Sequence, residues 1–129
     1  MSRGILANKL VQEREVKNNR GTMNTELIKS AISSKSQVEF KYQKKSEFPN
    51  RRIGNPHALF IDVTKDGEDR LYLDLMQTGG ESNEPTELPD WRVFLVDRMS
   101  SITILDTRFN TDINYNPNSV RYSRAIAKI

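Results

Sequence analysis

Residues 91–99 read WRVFLVDRM, and this short stretch decides the fold prediction. Read as a β-strand, it places successive side chains on opposite faces. One face is apolar and is predicted to lie in the core: Trp91, Val93, Leu95 and Met99. The other face carries a cation, a ring and a second cation in a row: Arg92, Phe94, Val96 and Arg98. This second face indicates either a solvated sheet surface or a site for something flat and anionic.

The rest of the chain predicts a short helix around residues 25–34 and then five strands. Leu27, Ile28, Ala31 and Ile32 share one helical face behind an Asn or Thr cap. The period then changes to two, and the predicted strands are 38–42, 53–63, 71–76, 91–96 and 102–105. Their links have hairpin length, with an Asp-Gly turn at 66–67 and a tight helical turn near 97–101. This order favours a mainly β (α+β) protein, a small bent antiparallel barrel.

Buried positions follow from the same alternation. They are predicted to be Leu71, Leu73, Leu75, Val93, Leu95, Ile102 and Ile104. The polar stretch 77–90 is predicted to be a long loop of the kind that carries function or disorder.

Composition restricts the chemistry available to this chain. Its 129 residues suit one domain, and the absence of cysteine excludes disulfides and thiolate catalysis. His57 is the only histidine, so a histidine-rich metal site is excluded, and no G-x-S-x-G sequence occurs. We therefore expect a non-enzymatic protein without a metal or cofactor. The lack of a long apolar run or signal-like N-terminus indicates a cytoplasmic protein with no membrane association.

Charge is distributed unevenly along the chain. Residues 1–22 hold five basic and two acidic side chains, and residues 107–129 hold four basic and one acidic. We predict three parts: a basic, helical interaction segment at 1–22, a barrel domain at 23–109, and a tail at 110–129 with a short last helix. The terminal segments have too little apolar periodicity to form cores of their own. We therefore predict that they hold a homodimer or dock onto a larger protein.

The order of motifs resembles the WYL domain, a prokaryotic ligand-sensing module with an SH3/Sm-like barrel. The matching residues over 24–109 are Val38-x-Phe40-x-Tyr42, Arg52 ahead of Pro56-His57-x-Leu59, Leu71-Tyr72-Leu73 and Arg92-x-Phe94-x-x-Asp97-Arg98-Met99. Leu71 replaces the family's name-giving tryptophan, and Gly54 stands where the family tends to have a β-branched residue. The 23 residues ahead of the barrel in this sequence are too few for a helix-turn-helix domain, so we expect a stand-alone WYL protein.

This resemblance implies a basic and aromatic pocket for nucleic acid or a nucleotide-like ligand, formed by Tyr42, Arg52, His57, Arg92 and Arg98. Guanidinium groups match phosphate oxygens, and a neighbouring ring offers a base a stacking surface. For Arg98, pairing with Asp97 or another carboxylate at a barrel corner remains open, and a structural role remains open for His57.

Two classes of function follow from the sequence. The first is a regulatory sensor that binds single-stranded RNA, DNA or a small nucleotide, with a link to phage defence or CRISPR control implied by the resemblance. The second is a protein-interaction module without a nucleic-acid ligand.

Overall fold

The computed structural model describes residues 21–45, 47–82 and 84–129. Residues 21–34 are helical, and Ile28, Ala31 and Ile32 on one helical face are buried in the core. The predicted amphipathic helix is therefore confirmed. The predicted basic segment 1–22 lies outside the described residues, apart from its last two positions.

Six antiparallel strands follow the helix in the described part, one more than predicted. They are β1 (Ser36–Tyr42), β2 (Asn50–Val63), β3 (Asp69–Gly80), β4 (Asp90–Leu95), β5 (Met99–Arg108) and β6 (Ala125–Lys128). The β2–β3 hairpin turns at Gly67, which has a φ of 80° and so adopts the left-handed conformation that glycine tolerates. The mainly β fold predicted from the sequence is confirmed.

The sheet is strongly curved. Its order is β4-β3-β2-β1-β5, so β4 and β5 lie at opposite edges, yet only the 3-10 turn Val96–Arg98 joins them. Four peptide steps from Leu95 to Met99 span at most about 14 Å. Four strand spacings in a flat sheet would measure about 19 Å. The sheet therefore curls into a barrel until its edges approach, and the tight turn predicted here is confirmed.

β2 provides much of this curvature because it bends at two register shifts, between Ile53 and Gly54 and between Pro56 and Ala58. Its first half pairs with β1 and its second half pairs with β6. At the first shift β3 comes very close, since a Cβ added to Gly54 would lie 2.5 Å from the carbonyl oxygen of Met76. This contact explains why glycine stands where the WYL pattern tends to have a larger residue.

The inward face of β4 is opposite to the predicted one. Leu75 pairs with Arg92 and Leu73 pairs with Phe94, and directly paired residues share a face of the sheet. Phe94 is 2% exposed, whereas Val93 is 50% exposed. The prediction that Val93 is buried is therefore wrong. Leu73 and Leu75 are buried as predicted, and the remaining predicted core residues are half-buried: Leu71, Leu95, Ile102 and Ile104.

The C-terminal segment, defined here as residues 109–129, covers the outer face of β2 and β3. Tyr122 packs against Phe60 and Ala58, and the aromatic rings of Tyr72 and Tyr115 pack around them. The short last helix predicted for this segment is present only as one 3-10 turn at Val120–Tyr122, and the four-residue strand β6 follows it.

A buried carboxylate fixes the C-terminal segment to β3. Asp74, 7% exposed, accepts hydrogen bonds from Arg121 Nε at 2.7 Å, from Arg121 Nη2 at 2.8 Å and from the Tyr122 hydroxyl at 2.7 Å. Burial, with the hydrogen bond to Asp74, raises the pKa of Tyr122 well above its ordinary value, so this hydroxyl stays a donor.

Candidate ligand-binding site

Three of the predicted site residues meet at one end of the barrel. β1 ends at Tyr42, β2 begins just before Arg52 and β4 begins just before Arg92, so antiparallel pairing brings these positions together. They line an inner cavity of about 230 Å³. Its other lining residues are Lys44, Glu84, Trp91, Val93 and Phe94. The cavity thus combines cations with aromatic rings, as the WYL resemblance implies.

Arg52 is the most unusual residue of the inner cavity, because it is a cation that is only 2% exposed. Its Nε donates to Asn50 Oδ1 at 2.8 Å and its Nη1 donates to Gln77 Oε1 at 3.4 Å. Its guanidinium carbon lies 5.9 Å from the ring centre of Tyr42 and 5.7 Å from that of Phe94. No carboxylate within the described residues forms an ion pair with it.

Desolvation lowers the pKa of Arg52 from its ordinary value. Buried charges are expensive unless a counter-charge accompanies them. The two rings offset part of this cost through cation–π attraction. A negative charge beside the guanidinium would offset the remaining cost.

Arg92 is held mainly by the loop between β3 and β4. Its Nη1 donates to Asp90 at 2.8 Å, and its Nη2 donates to the carbonyl oxygen of Thr86 at 3.0 Å and to Ser82 Oγ at 3.3 Å. The side chain is 8% exposed, and its buried Nε has no partner within the described residues. Arg92 therefore shapes the cavity wall and fixes the loop that forms one side of the cavity mouth.

Tyr42 is buried, and its hydroxyl accepts a hydrogen bond from the backbone N–H of Leu95 at 3.0 Å. Its ring packs edge to face against Phe94, with ring centres 4.8 Å apart. The ring thus lies in the core and supports Arg52 from the core side.

Arg98 lies elsewhere, in a separate cavity of about 680 Å³ between the helix and the 3-10 turn. Asp97 pairs with Arg70 at 3.2 Å instead of with Arg98. Across residues 21–45, 47–82 and 84–129, no hydrogen bond or ion pair engages the Arg98 side chain. The structure therefore does not bring Arg98 into the same cavity as Arg92.

His57 lies in the core and is fully buried. Its Nδ1 is 2.8 Å from the carbonyl oxygen of Asn55, and its Nε2 is 3.0 Å from the backbone nitrogen of Asp112. This pairing fits a neutral ring that donates from Nδ1 and accepts at Nε2. Burial lowers the pKa of His57, which favours the same neutral form. His57 joins the C-terminal segment to β2 and does not line the inner cavity.

Sequence reasoning missed two charged residues at the mouth of the inner cavity. Lys44 and Glu84 form an ion pair at 3.3 Å across it, with side chains 38% and 45% exposed. Exposed pairs of this kind are weak, so an entering anion can compete with Glu84 for Lys44. The Lys44-Lys45 doublet, which follows Tyr42 after one intervening residue, was the available sequence signal for Lys44, but its position in a polar turn gave no sign of a role in the cavity.

The fold and the inner cavity together define a small β-barrel with cations and aromatic rings at one end. A family model for the WYL domain matches residues 23–104, about two thirds of the chain. The chain therefore belongs to the WYL domain family, whose members are regulatory, ligand-sensing and generally non-catalytic domains. Searches of curated proteins and of solved structures gave no significant match.

Two kinds of feature are absent from the part of the chain that the structure describes. No helix among them is long and apolar enough to cross a membrane. No group of three or more His, Asp or Glu side chains among them is placed to hold a metal ion.

Proposed function

We propose that this WYL domain is a regulatory sensor that binds single-stranded nucleic acid or a nucleotide-like anion in the inner cavity. The observation that carries this proposal is the buried guanidinium of Arg52, which lacks a carboxylate partner among the described residues. A phosphate oxygen would supply the missing negative charge through a charge-assisted hydrogen bond.

The surroundings of Arg52 favour a phosphate attached to an aromatic base over a simple anion. Trp91 lines the same cavity, and its half-buried ring offers a surface to a base. Lys44 stands at the mouth, where its weak pair with Glu84 can exchange for a phosphate contact. We assign Arg52 as the principal anion contact, Lys44 as a second one, and Arg92 and Tyr42 as the residues that hold the cavity in shape.

The direct experiment compares Arg52→Gln with Arg51→Gln. Both substitutions remove one positive charge from neighbouring positions on β2, but Arg51 points outward, is exposed and pairs with Glu39. Binding of fluorescent short single-stranded RNA, single-stranded DNA and mononucleotides is measured at low salt. Arg52→Gln should weaken binding by about 1.5–3 kcal/mol, the range for charged hydrogen bonds. This equals about 10- to 150-fold in Kd.

The control, Arg51→Gln, should change affinity by less than about fivefold, because it alters only a screened surface charge. Equal losses in the two variants would reduce the effect to general electrostatics and contradict the proposal. Failure of the wild-type domain to bind any of these probes would contradict it as well.

Thermal unfolding separates a binding role for Arg52 from a structural one. Loss of the hydrogen bonds to Asn50 and Gln77 is offset by relief of the desolvation cost. Arg52→Gln should therefore change the free energy of unfolding by no more than about 1 kcal/mol. A large drop in Tm would instead mark Arg52 as a structural residue.

Glu84→Gln provides a test in the opposite direction. Removal of this carboxylate frees Lys44 and eliminates a negative charge at the cavity mouth. Anion affinity should rise by up to about fivefold, the equivalent of an exposed ion pair. A fall in affinity would show that Lys44 does not serve the ligand.

Family membership also suggests what the binding event controls. We propose that occupancy of the inner cavity is read by a second copy of the domain or by a larger protein partner. Phage defence or CRISPR regulation is the setting we propose for this output, by analogy with the family alone.

A further inference from the structure

A second concavity lies on the other side of β4. This outer cleft has a volume of about 410 Å³ and runs between β4 and the C-terminal segment. It shares Trp91, Arg92 and Val93 with the inner cavity, so strand β4 forms the wall between the two. Among the described strands, β4 pairs only with β3 and leaves its other edge free.

The chemistry of the outer cleft differs from that of the inner cavity. Trp91 and Tyr115 present half-buried rings whose centres are 6.3 Å apart and whose planes are tilted by 32°. Asn114 offers an exposed amide that has no side-chain hydrogen bond within the described residues. Arg121 also lines the cleft, but its charge is neutralised by Asp74. The cleft is therefore aromatic and polar with little net charge, which suits a nucleobase better than a phosphate.

The two rings of the outer cleft are held in place by contacts with His57 and with the C-terminal residue. His57 packs edge to face against Trp91 at 4.8 Å and lies 5.1 Å from the ring centre of Tyr115. The Tyr115 hydroxyl donates to the carbonyl oxygen of Ile129 at 3.3 Å. His57 thus acts as a positioning residue for the cleft. Preorganised rings of this kind cost little entropy when a base stacks on them.

We propose that the outer cleft binds a nucleobase adjacent to the phosphate held at Arg52, so that the ligand is a single strand crossing the edge of β4. This inference rests on the proposed function and narrows it from any nucleotide-like anion to a strand of two or more nucleotides. The cavity sizes agree with this division of the ligand. The inner cavity, at about 230 Å³, is below the usual range of about 300–1,000 Å³ for small-molecule pockets, whereas the outer cleft, at about 410 Å³, lies within that range. The inner cavity supplies the charge, and the outer cleft supplies the stacking surface.

The first test is the dependence of affinity on ligand length. Uridine and thymidine monophosphates are compared with their single-stranded dimers and tetramers at one salt concentration. Affinity should rise by at least about fivefold from monomer to dimer, the lower end for stacking one base on an aromatic ring. Trp91 is the only tryptophan in the chain, so quenching of its fluorescence reports directly on β4.

The second test uses matched variants in the C-terminal segment. Tyr115→Leu should weaken tetramer binding by about 5- to 100-fold, the range for loss of one stacking surface, while Tyr115→Phe should retain it. Asn114→Ala should weaken tetramer binding more modestly, by about threefold, and Asn118→Ala outside the cleft should have no effect. None of these changes should alter monophosphate affinity.

The outcomes distinguish the two proposals. If affinity is independent of length, or if folded Tyr115→Leu and Asn114→Ala bind the tetramer normally, the outer cleft is not part of the site. Arg52→Gln would still weaken monophosphate binding by about 10- to 150-fold in that case, and the proposed function would stand. If no ligand of any length binds the wild-type domain, both proposals fail. Should Tyr115→Leu unfold, the exposed Asn114 decides the question.

Discussion

The hydroxyl of Tyr122 provides a measure of how firmly the C-terminal segment is attached to the barrel. Tyr122→Phe keeps the ring that packs 5.4 Å from Phe60 and removes only the hydrogen bond to Asp74. Hydrogen bonds to charged groups contribute about 1.5–3 kcal/mol. Arg121 still contacts both oxygens of Asp74 in the variant, so the carboxylate keeps a partner and the cost falls toward the lower end, about 1.5–2 kcal/mol.

This loss should be visible in a thermal or urea melt followed by circular dichroism. For a domain of this size, 1 kcal/mol corresponds to roughly 3–5 °C, so Tm should fall by about 5–10 °C with an unchanged m-value. Tyr115→Phe is the matched control, because its hydroxyl is 3.3 Å and 3.5 Å from carbonyl oxygens at a half-buried position. The reasoning is refuted if Tyr122→Phe costs no more than Tyr115→Phe.

Three further predictions concern pH, backbone conformation and assembly. Burial lowers the pKa of His57, so the unfolded chain binds a proton at this residue before the folded chain does as pH falls below about 6.5. The free energy of unfolding should therefore drop by up to about 1.4 kcal/mol per pH unit. Melts of His57→Phe between pH 7.5 and 5.5 should lack this slope. In a urea titration, Gly80→Ala should unfold at a much lower urea concentration than Gly79→Ala. Gly80 has a φ of 85°, and a Cβ added there would lie 2.3 Å from the Arg51 carbonyl oxygen. A Cβ added at Gly79 would lie no closer than 3.7 Å to any neighbouring atom. The predicted homodimer should appear in sedimentation at tens of micromolar, near a common affinity for modest interfaces, and a monomer there would contradict it.

The succession of strands β1 to β5 along the chain was readable from the sequence because it depends on local signals. Alternation in β1 and β3, the Asp-Gly turn and the short link at residues 96–98 all act over a few residues. Together they required a bent antiparallel sheet. The position of Tyr42 and Arg52 at one barrel end then follows from antiparallel pairing alone.

The orientation of β4 could not be read in the same way. Trp91 is large and apolar and so suggested a core face, yet Arg92 and Phe94 point inward. Alternation is informative when one face of a strand meets water. Here the C-terminal segment partly covers the outer face of β4, so both faces carry aromatic rings. The alternation of polar and apolar residues therefore does not show which face of β4 points into the barrel. An arginine in the barrel interior adds to the error, since a buried cation contradicts the usual rule.

The strand β6 in the C-terminal segment was not predicted, for a different reason. β6 has four residues, Ala125–Lys128, and its sequence carries only one β-branched side chain. Its pairing with β2 depends on contacts across more than sixty residues, since Phe60 pairs with Ala125. Non-local pairing leaves no local pattern. The C-terminal segment forms one side of the outer cleft, so the cleft could not be predicted from the sequence.

The bend in β2 separates two sets of strand pairings, and we expect the hydrogen bonds of each set to break independently of the other. Residues before the bend pair with β1 on one side, and residues after it pair with β6. Closure of the longer loop to β6 costs more chain entropy, so this pairing should form late in folding and open first. The amide hydrogen of Ile61, which donates to the carbonyl oxygen of Arg124, should then exchange with solvent faster than those of Phe40 and Arg52. The end of the barrel that holds the inner cavity would keep its shape through such local openings, while the outer cleft would lose one of its walls whenever the C-terminal strand detaches.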